Sequence, residues 1–157
     1  MELTWHCLAF DDLTLLQLYE IMQLRQRVFI VEQNCPYLDA DDKDQHSHHL
    51  LGFDADGLAA YVRILPPRLA YPAHYEPSIG RVITHPRVRQ AGIGKVLMTQ
   101  AIAHTHRLFG ENLPIRIGAQ SYLLRFYGSF GFVSTGKEYL EDDIPHTEMV
   151  LDVRRKT

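Results

Sequence analysis

The sequence is poor in cysteine, has no long apolar run and carries no excess of basic residues. Cys7 and Cys35 are its two thiols. They are too few for a disulfide framework and too far apart for a CxxC pair, so both are expected to be reduced. No apolar stretch approaches the ~20 residues that cross a bilayer, and the N-terminus MELTWHCLAF lacks the pattern of a signal peptide. A net charge of −3 offers no basic surface to nucleic acid. These absences predict a cytoplasmic protein that binds neither membrane nor nucleic acid.

The composition that remains is that of an ordinary globular domain. Of the 157 residues, 46% are hydrophobic and 22% are charged, a balance that argues against disorder. The length suits one domain with a sizeable core. Because neither a repeat nor a linker interrupts the chain, we predict a single domain over residues 1–157. The basic residues 154–156 are expected to form a solvated tail.

Acidic residues are concentrated in one segment, VEQNCPYLDADDKDQHSHHLL (residues 31–51). Five carboxylates against Lys43 give residues 32–49 a formal charge of −4, which leaves +1 for the rest of the chain. The aspartates fail the spacing of an EF-hand loop, and His46, His48 and His49 lack the partners of a zinc site. We therefore expect no metal. Two interpretations stay open: the segment attracts a cationic partner, or it is a solvated loop.

Hydrophobic periodicity predicts strands and helices in the order βα, three strands, α, β, α, ββ. Thr14 and Gln17 form a capping box that opens the first helix, which is expected to reach about Phe29. The later helices are predicted at about 92–109 and 122–130. The strands are predicted at 3–8, on both sides of a turn at 54–57, and at 78–84, 115–120, 133–139 and 147–153. A strand–helix–strand unit in the middle requires parallel pairing there, so the sheet is mixed.

The stretch THPRVRQAGIGKVLM has the composition of an anion-binding loop. Gly92 and Gly94 open a helix whose free amides and dipole suit a phosphate, and Arg87, Arg89 and Lys95 add positive charge. The P-loop pattern fails because Arg89 replaces its first glycine, and the Rossmann pattern fails because Leu97 replaces its third. Spacing alone leaves open whether this is an anion site or a plain helix start.

The same stretch resembles motif A of the GNAT acetyltransferases, R/Q-x-x-G-x-G/A after a strand, with Arg89, Gly92 and Gly94 in the fixed positions. FYGSFGF (residues 126–132) resembles that family's FYxxxGF segment. LRQRVFIVEQNCPYLDADD, GRVITHP, GAQSYLLRFYGSFGF and DDIPH together are similar to the ElaA-like branch of the family. The resemblance implies an α/β fold with a mixed, mostly antiparallel sheet. Its central parallel strands, 78–84 and 115–120, splay apart, and helices cover both faces.

The resemblance also implies acetyl-CoA as the acyl donor, without a metal. The donor's pantetheine arm would pair with the first splayed strand, a backbone N–H near Ile83 would polarise the thioester carbonyl, and the glycine loop would hold the pyrophosphate. Ser121 takes the place of an asparagine that commonly contacts the donor in this family. The residues implied in donor binding are Val82, Ile83, Thr84, Arg89, Gln90, Ala91, Gly92, Ile93, Gly94, Lys95, Ser121 and Tyr127.

Three residues are candidates for proton transfer. Tyr127 occupies the family position that serves the departing thiolate, and a phenol donates rather than accepts at neutral pH. Glu32 and His49 are the leading candidates for the general base because both flank the expected substrate lip. Other groups able to act as the base are a water chain, Glu141, His146 and Glu148.

Together these features predict an acetyl-CoA-dependent N-acetyltransferase. The acceptor would be a primary amine, either a cationic small molecule or a lysine side chain, attacking directly in a ternary complex. The acidic segment would attract it. The alternative is a non-catalytic CoA-binding sensor or partner module, and another acyl donor such as succinyl-CoA stays open. A homodimer is one option for the assembly.

Overall fold

The computed structural model of the chain describes residues 2–153, so the basic tail expected at 154–156 lies outside the described residues. One seven-stranded sheet runs in the order β1-β2-β3-β4-β5-β7-β6. Its strands are β1 Thr4–Ala9, β2 His48–Asp54, β3 Gly57–Leu65, β4 Ser78–Thr84, β5 Ile115–Gln120, β6 Val133–Glu141 and β7 Ile144–Leu151. The helices are α1 Leu15–Arg25, α2 Ile93–Phe109 and α3 Leu124–Gly128. The predicted mixed and mostly antiparallel sheet is confirmed, since β4–β5 is its parallel pair.

The first helix begins where the sequence places it and continues past its expected end. The Thr14 hydroxyl accepts from the amide of Gln17 at 3.0 Å, and the Gln17 side chain accepts from the amide of Thr14 at 2.9 Å. After Arg25 the chain widens into a π-helical segment, Gln26–Glu32. Such segments often lie at functional sites, and this one carries Glu32 to the rim of a cleft described below.

Hydrophobic side chains fill both faces of the sheet because successive strand residues point to opposite sides. Leu50 of β2 packs in the cluster under α2, whereas its neighbour Leu51 packs under α1. We call these two sides the α2 face and the α1 face. Ile21 and Leu24 of α1 cover the α1 face. The α2 face is covered by Ile93, Leu97, Met98 and Ala101 of α2 and by Tyr127 of α3.

The two parallel strands meet at one end and then separate. β4 and β5 pair in register at Ser78 and Arg116, and the Arg116 amide donates to the Pro77 carbonyl at 3.0 Å. Opposite β3, β4 carries a bulge at which Arg81 takes a positive φ of 51°. A bulge bends its strand and increases the local twist. The predicted splayed pair is confirmed, and the split opens toward the carboxyl ends of both strands.

The C-terminal hairpin is tighter than predicted. Asp142 and Asp143 alone form the turn, with φ values of 50° and 64°, as a two-residue hairpin turn requires. Pro145, which lies outside the strand predicted at 147–153, is inside β7. Within residues 2–153, no helix is both long enough and apolar enough to span a bilayer.

Candidate active site

A cleft of about 840 Å³ occupies the split between β4 and β5. Val82, Ile83 and Thr84 line it from β4, Ile117 and Gly118 from β5. Arg89 and Tyr127 also line it, so groups expected to contact the donor meet in one cavity. A split parallel pair leaves backbone N–H and C=O groups without strand partners, and an extended ligand can pair with them.

The backbone of β4 directs alternate residues into this split. The amide of His85 donates to the Ala59 carbonyl of β3 at 2.7 Å, and Ile83 is paired with Tyr61. Because successive residues of a strand direct their polar groups to opposite sides, Thr84 faces the split. The Arg89 guanidinium reaches the Thr84 carbonyl from that side at 3.4 Å. The backbone N–H that was expected near Ile83, to polarise the thioester carbonyl, is therefore better assigned to Thr84. The N–H and C=O of Ile83 point toward β3, with which they pair.

The glycine loop has the geometry of an anion site. Pro86–Ala91 forms a 3-10 turn, Gly92 takes a φ of 75°, and α2 begins at Ile93 without a side-chain cap. A φ of this sign favours glycine. The first-turn amides of this 17-residue helix are therefore available to an anion. Ile93 is buried and can contribute only its amide, whereas the Gln90, Ala91 and Lys95 side chains are exposed.

An ion pair crosses the cleft between Arg89 and Glu32. Nη1 of Arg89 contacts Oε1 of Glu32, and Nη2 lies 3.1 Å from Oε2; both side chains are partly exposed. Glu32 is thus held by the guanidinium expected to contact the donor's phosphates. A phosphate would compete for Arg89 and release this carboxylate. Arg87, by contrast, is bonded to Asp54 at 2.8 and 2.9 Å and braces the β2–β3 turn.

Tyr127 is the buried aromatic group of the cleft. It is 7% exposed, and its ring packs edge-on against Phe126 and Phe132, with centroids 5.2 and 6.2 Å away. Burial, together with the nearby Tyr122, raises the pKa of Tyr127 to about 12. The phenol therefore keeps its proton at neutral pH and can donate it into the cleft.

Ser121 lies beside the cleft and is engaged by a neighbouring strand. Its hydroxyl is 2.8 Å from that of Thr147 on β7. Gln120 and Tyr122, on either side of it, line the cleft. To contact the donor, the Ser121 hydroxyl must therefore give up its hydrogen bond to Thr147 or keep that bond while it makes a second one.

The assignment of His49 as a general base is wrong. Its side chain is fully buried in β2, with Nδ1 2.6 Å from the Tyr61 hydroxyl and Nε2 2.9 Å from the Asp44 carbonyl. Burial also lowers the pKa of the ring, so it stays neutral. With both nitrogens bonded and no side of the ring open to the cleft, His49 supports the loop that carries Asp44.

The acidic segment does not present its formal charge to solvent. Arg25 donates to Asp39 at 2.6 Å and to Asp44 at 2.7 Å. Arg63 bonds Asp41 at 2.7 and 2.9 Å and Asp44 at 2.9 Å, and Arg81 bonds Asp39 at 2.8 Å. We call these six side chains the arginine–aspartate cluster.

Three guanidinium groups neutralise three carboxylates within the cluster. Burial disfavours the charged form of Asp41, but Arg63 outweighs it and holds the pKa of that carboxyl below its usual range. With Glu32 paired to Arg89, Asp42 is the exposed aspartate that remains between the cluster residues. The idea that this segment attracts a cation by a charge of −4 therefore loses its physical basis, and the cluster anchors the segment on the sheet.

Residues of the C-terminal hairpin form the far side of the cleft. Glu141 and His146 were among the alternative bases that the sequence offered, whereas Tyr71 and Tyr139 were not singled out. Tyr139 stacks on His146 with centroids 5.5 Å apart, and Nε2 of His146 lies 3.4 Å from a carboxylate oxygen of Glu141. Tyr71 approaches from the loop before β4. We call Tyr71, Tyr139, Glu141 and His146 the aromatic wall. The segment DDIPH places His146 near the hairpin turn, and the strand register brings it beside Gln120 of β5.

Comparison with known proteins agrees with this geometry. Residues 26–153 match the family model described as an acetyltransferase (GNAT) domain. Protein ElaA of Escherichia coli is 41% identical over 153 residues, covering 95% of this chain and 96% of that protein. The crystal structure of an acyl-CoA N-acyltransferase from Pseudomonas aeruginosa superposes with a TM-score of 0.87 at 40% identity, covering 95% and 99% of the two chains. The crystal structure of E. coli ElaA gives 0.86 at 38% identity, covering 96% and 99%.

Proposed function

The chain belongs to the GNAT acetyltransferase family, and from that premise we propose that it transfers an acetyl group from acetyl-CoA to a primary amine in a ternary complex. The observation that carries the proposal is the cleft in the β4–β5 split. It brings the split-facing backbone of Thr84, the Arg89 side chain and the buried phenol of Tyr127 into one cavity. The amine would be a small molecule or a lysine side chain, and the location would be cytoplasmic.

The donor site consists mainly of backbone. Val82 and Thr84 would pair with the amide groups of the pantetheine arm, as in strand addition. The first-turn amides of α2 would bind the pyrophosphate, and Arg89 would exchange its bond to Glu32 for one to a phosphate oxygen. When bound, acetyl-CoA supplies an acyl group activated as a thioester.

Two groups stabilise the charge that develops during transfer. The amine nitrogen forms a bond to the acyl carbon while the carbon–sulfur bond breaks. The Thr84 N–H would donate to the carbonyl oxygen as it gains negative charge. Tyr127 would donate its proton to the sulfur that leaves, and solvent would restore the phenol.

The proton of the acceptor ammonium needs a separate base. Glu32 has the right chemistry, but it is bonded to Arg89 and becomes free only when a phosphate takes that guanidinium. Base function by Glu32 would therefore depend on donor binding. For the assembly, a homodimer is one option, although the groups of this cleft all come from one chain.

The proposal is tested by identifying the product. The protein is incubated with acetyl-CoA and a panel of primary amines and lysine peptides, and the products are analysed by mass spectrometry. We expect at least one amine to gain the mass of an acetyl group. The same reactions are also run with succinyl-CoA as an alternative acyl donor. An amine that gains only a succinyl group would overturn the choice of donor. Tight CoA binding without any acylated product would favour the non-catalytic CoA-binding module.

A further inference from the structure

The aromatic wall lies on the α1 face of the sheet. Ile115, Ile117 and Ala119 of β5 point into the core of the α2 face, so Gly118 between them points to the α1 face. The hydroxyls of Tyr71 and Tyr139 both lie close to Gly118. Any side chain at this position would collide with the Tyr139 hydroxyl. Gly118 therefore lets the two tyrosine hydroxyls approach β5 closely.

An ammonium group already lies beside this wall. Nζ of Lys137 is 5.8 Å from the centroid of the Tyr139 ring, within the range of a cation–π contact. Lys137 lines the cleft from β6, and its side chain is exposed. Because a lysine stem is long and rotates freely, this ammonium can leave the ring to another cation. The wall thus attracts an alkylammonium group, here supplied by the chain itself.

The orientation of His146 gives the wall a proton acceptor. Nδ1 of His146 is 2.8 Å from the Ile144 carbonyl, and because a carbonyl only accepts, Nδ1 carries the hydrogen. In its neutral form the ring therefore presents the lone pair of Nε2. Nε2 lies 3.4 Å from a carboxylate oxygen of Glu141, and both residues line the cleft, so a single donor group that approaches this pair from the cleft can contact both acceptors. An ammonium N–H is such a donor.

We propose that Tyr139, Glu141 and His146 bind the ammonium form of the acceptor amine, and that Nε2 of His146 takes the proton that makes it nucleophilic. Lys137 occupies the Tyr139 side of this subsite when the acceptor is absent. The acceptor class is therefore a primary alkylamine on an unbranched stem, as in a lysine side chain. This inference rests on the proposed function and assigns the acceptor end of the same cleft.

The proton transfer balances within the subsite. The ammonium loses one proton to Nε2, the imidazole becomes an imidazolium, and Glu141 lies close enough to stabilise the new charge. The neutral amine then attacks the acyl carbon, and the imidazolium returns its proton to water. The other charged groups near His146 are accounted for: Lys137 lies over Tyr139, and Glu148 is bonded to Arg116 and Thr135.

Binding is tested without turnover, in protein saturated with CoA that lacks an acyl group. The probe is Nα-acetyl-lysine amide, and its binding is followed by NMR of the histidine ring resonances. We expect a saturable shift of the His146 ring. Tyr139→Leu should weaken binding about tenfold and Lys137→Met should strengthen it about two- to fivefold, as loss of a cation–π contact and of a competing ammonium predict.

Two matched variants sharpen this test. Tyr139→Phe keeps the ring and should keep the probe's Kd, and Tyr19→Leu changes an exposed tyrosine on α1 outside the cleft. A probe that binds equally well to wild type and to Tyr139→Leu, or that leaves the His146 ring unshifted, would overturn the subsite.

The proton transfer has its own readout. With acetyl-CoA and the same probe, His146→Gln should lower kcat by about 10²-fold and remove the rise of kcat with pH that we expect of the wild type. His104→Gln on α2 is the matched control. A His146→Gln variant that keeps the wild-type pH profile would contradict the role of Nε2. If the wild type acetylates no amine but the probe still binds at the aromatic wall, acetyl transfer is contradicted and the ammonium-binding subsite is supported.

Discussion

Replacing Tyr127 by phenylalanine is expected to lower kcat by about 10²-fold while CoA binds with unchanged affinity. The phenol is 7% exposed in the cleft, and its pKa is raised to about 12 by burial and Tyr122. It is therefore a proton donor that solvent cannot easily replace. The ring itself, packed against Phe126, is retained in the variant. The measurements are steady-state acetyl transfer and calorimetric titration with CoA.

The matched control is Tyr19→Phe, which removes a hydroxyl from an exposed tyrosine on α1 and should leave kcat unchanged. Because the raised pKa keeps Tyr127 protonated, kcat should show no descending limb from this residue in neutral or mildly alkaline solution. Unchanged kcat in Tyr127→Phe would assign this tyrosine to packing, and weaker CoA binding would assign it to the donor site.

Replacing Arg25 by methionine is expected to lower the free energy of unfolding by about 3–5 kcal/mol. The guanidinium is fully buried and bonds both Asp39 and Asp44, at 2.6 and 2.7 Å. Without it these buried carboxylates lose their closest partner, and an unpaired buried charge is far less stable than a paired one. Urea unfolding measures the loss directly, and the melting temperature should fall on the order of 10 °C.

Arg27→Met provides the comparison, because Arg27 is two residues further along the chain, in the π-helical segment that follows α1, and is exposed. Its effect should stay within about 0.5 kcal/mol. If Arg25→Met costs no more than Arg27→Met, then Arg63 and Arg81 are enough to hold the acidic segment, and the arginine–aspartate cluster does not anchor it as described.

Features set by local sequence were predictable. The bounds of β4 and β5 match their predicted ranges, since Pro77 and Pro114 precede them and helices follow. The capping box at Thr14 was readable because both of its hydrogen bonds span three residues. The splayed pair and the glycine loop came from a resemblance whose motifs lie at these same positions.

Features set by distant partners were not predictable. The charge of the acidic segment can be counted from the sequence, but its neutralisation depends on Arg63 and Arg81, 19 and 40 or more residues away from their aspartates. His49 and His146 look alike as strand histidines. The fold turns one toward Tyr61 in the interior and the other into the cleft. Burial and register decide between them, and neither is a local property.

The central claim is that the split between β4 and β5 is the acyl-CoA site, and amide NMR during titration with CoA tests it most directly. We predict that the largest shifts fall on Val82, Thr84 and the loop from Arg89 to Lys95, with smaller changes at Tyr127. A second cavity of about 510 Å³, lined by Glu76, Arg116 and Thr135, serves as the internal reference and should stay unperturbed. Saturable CoA binding that shifts this second cavity and leaves Thr84 and the loop unchanged would contradict the account.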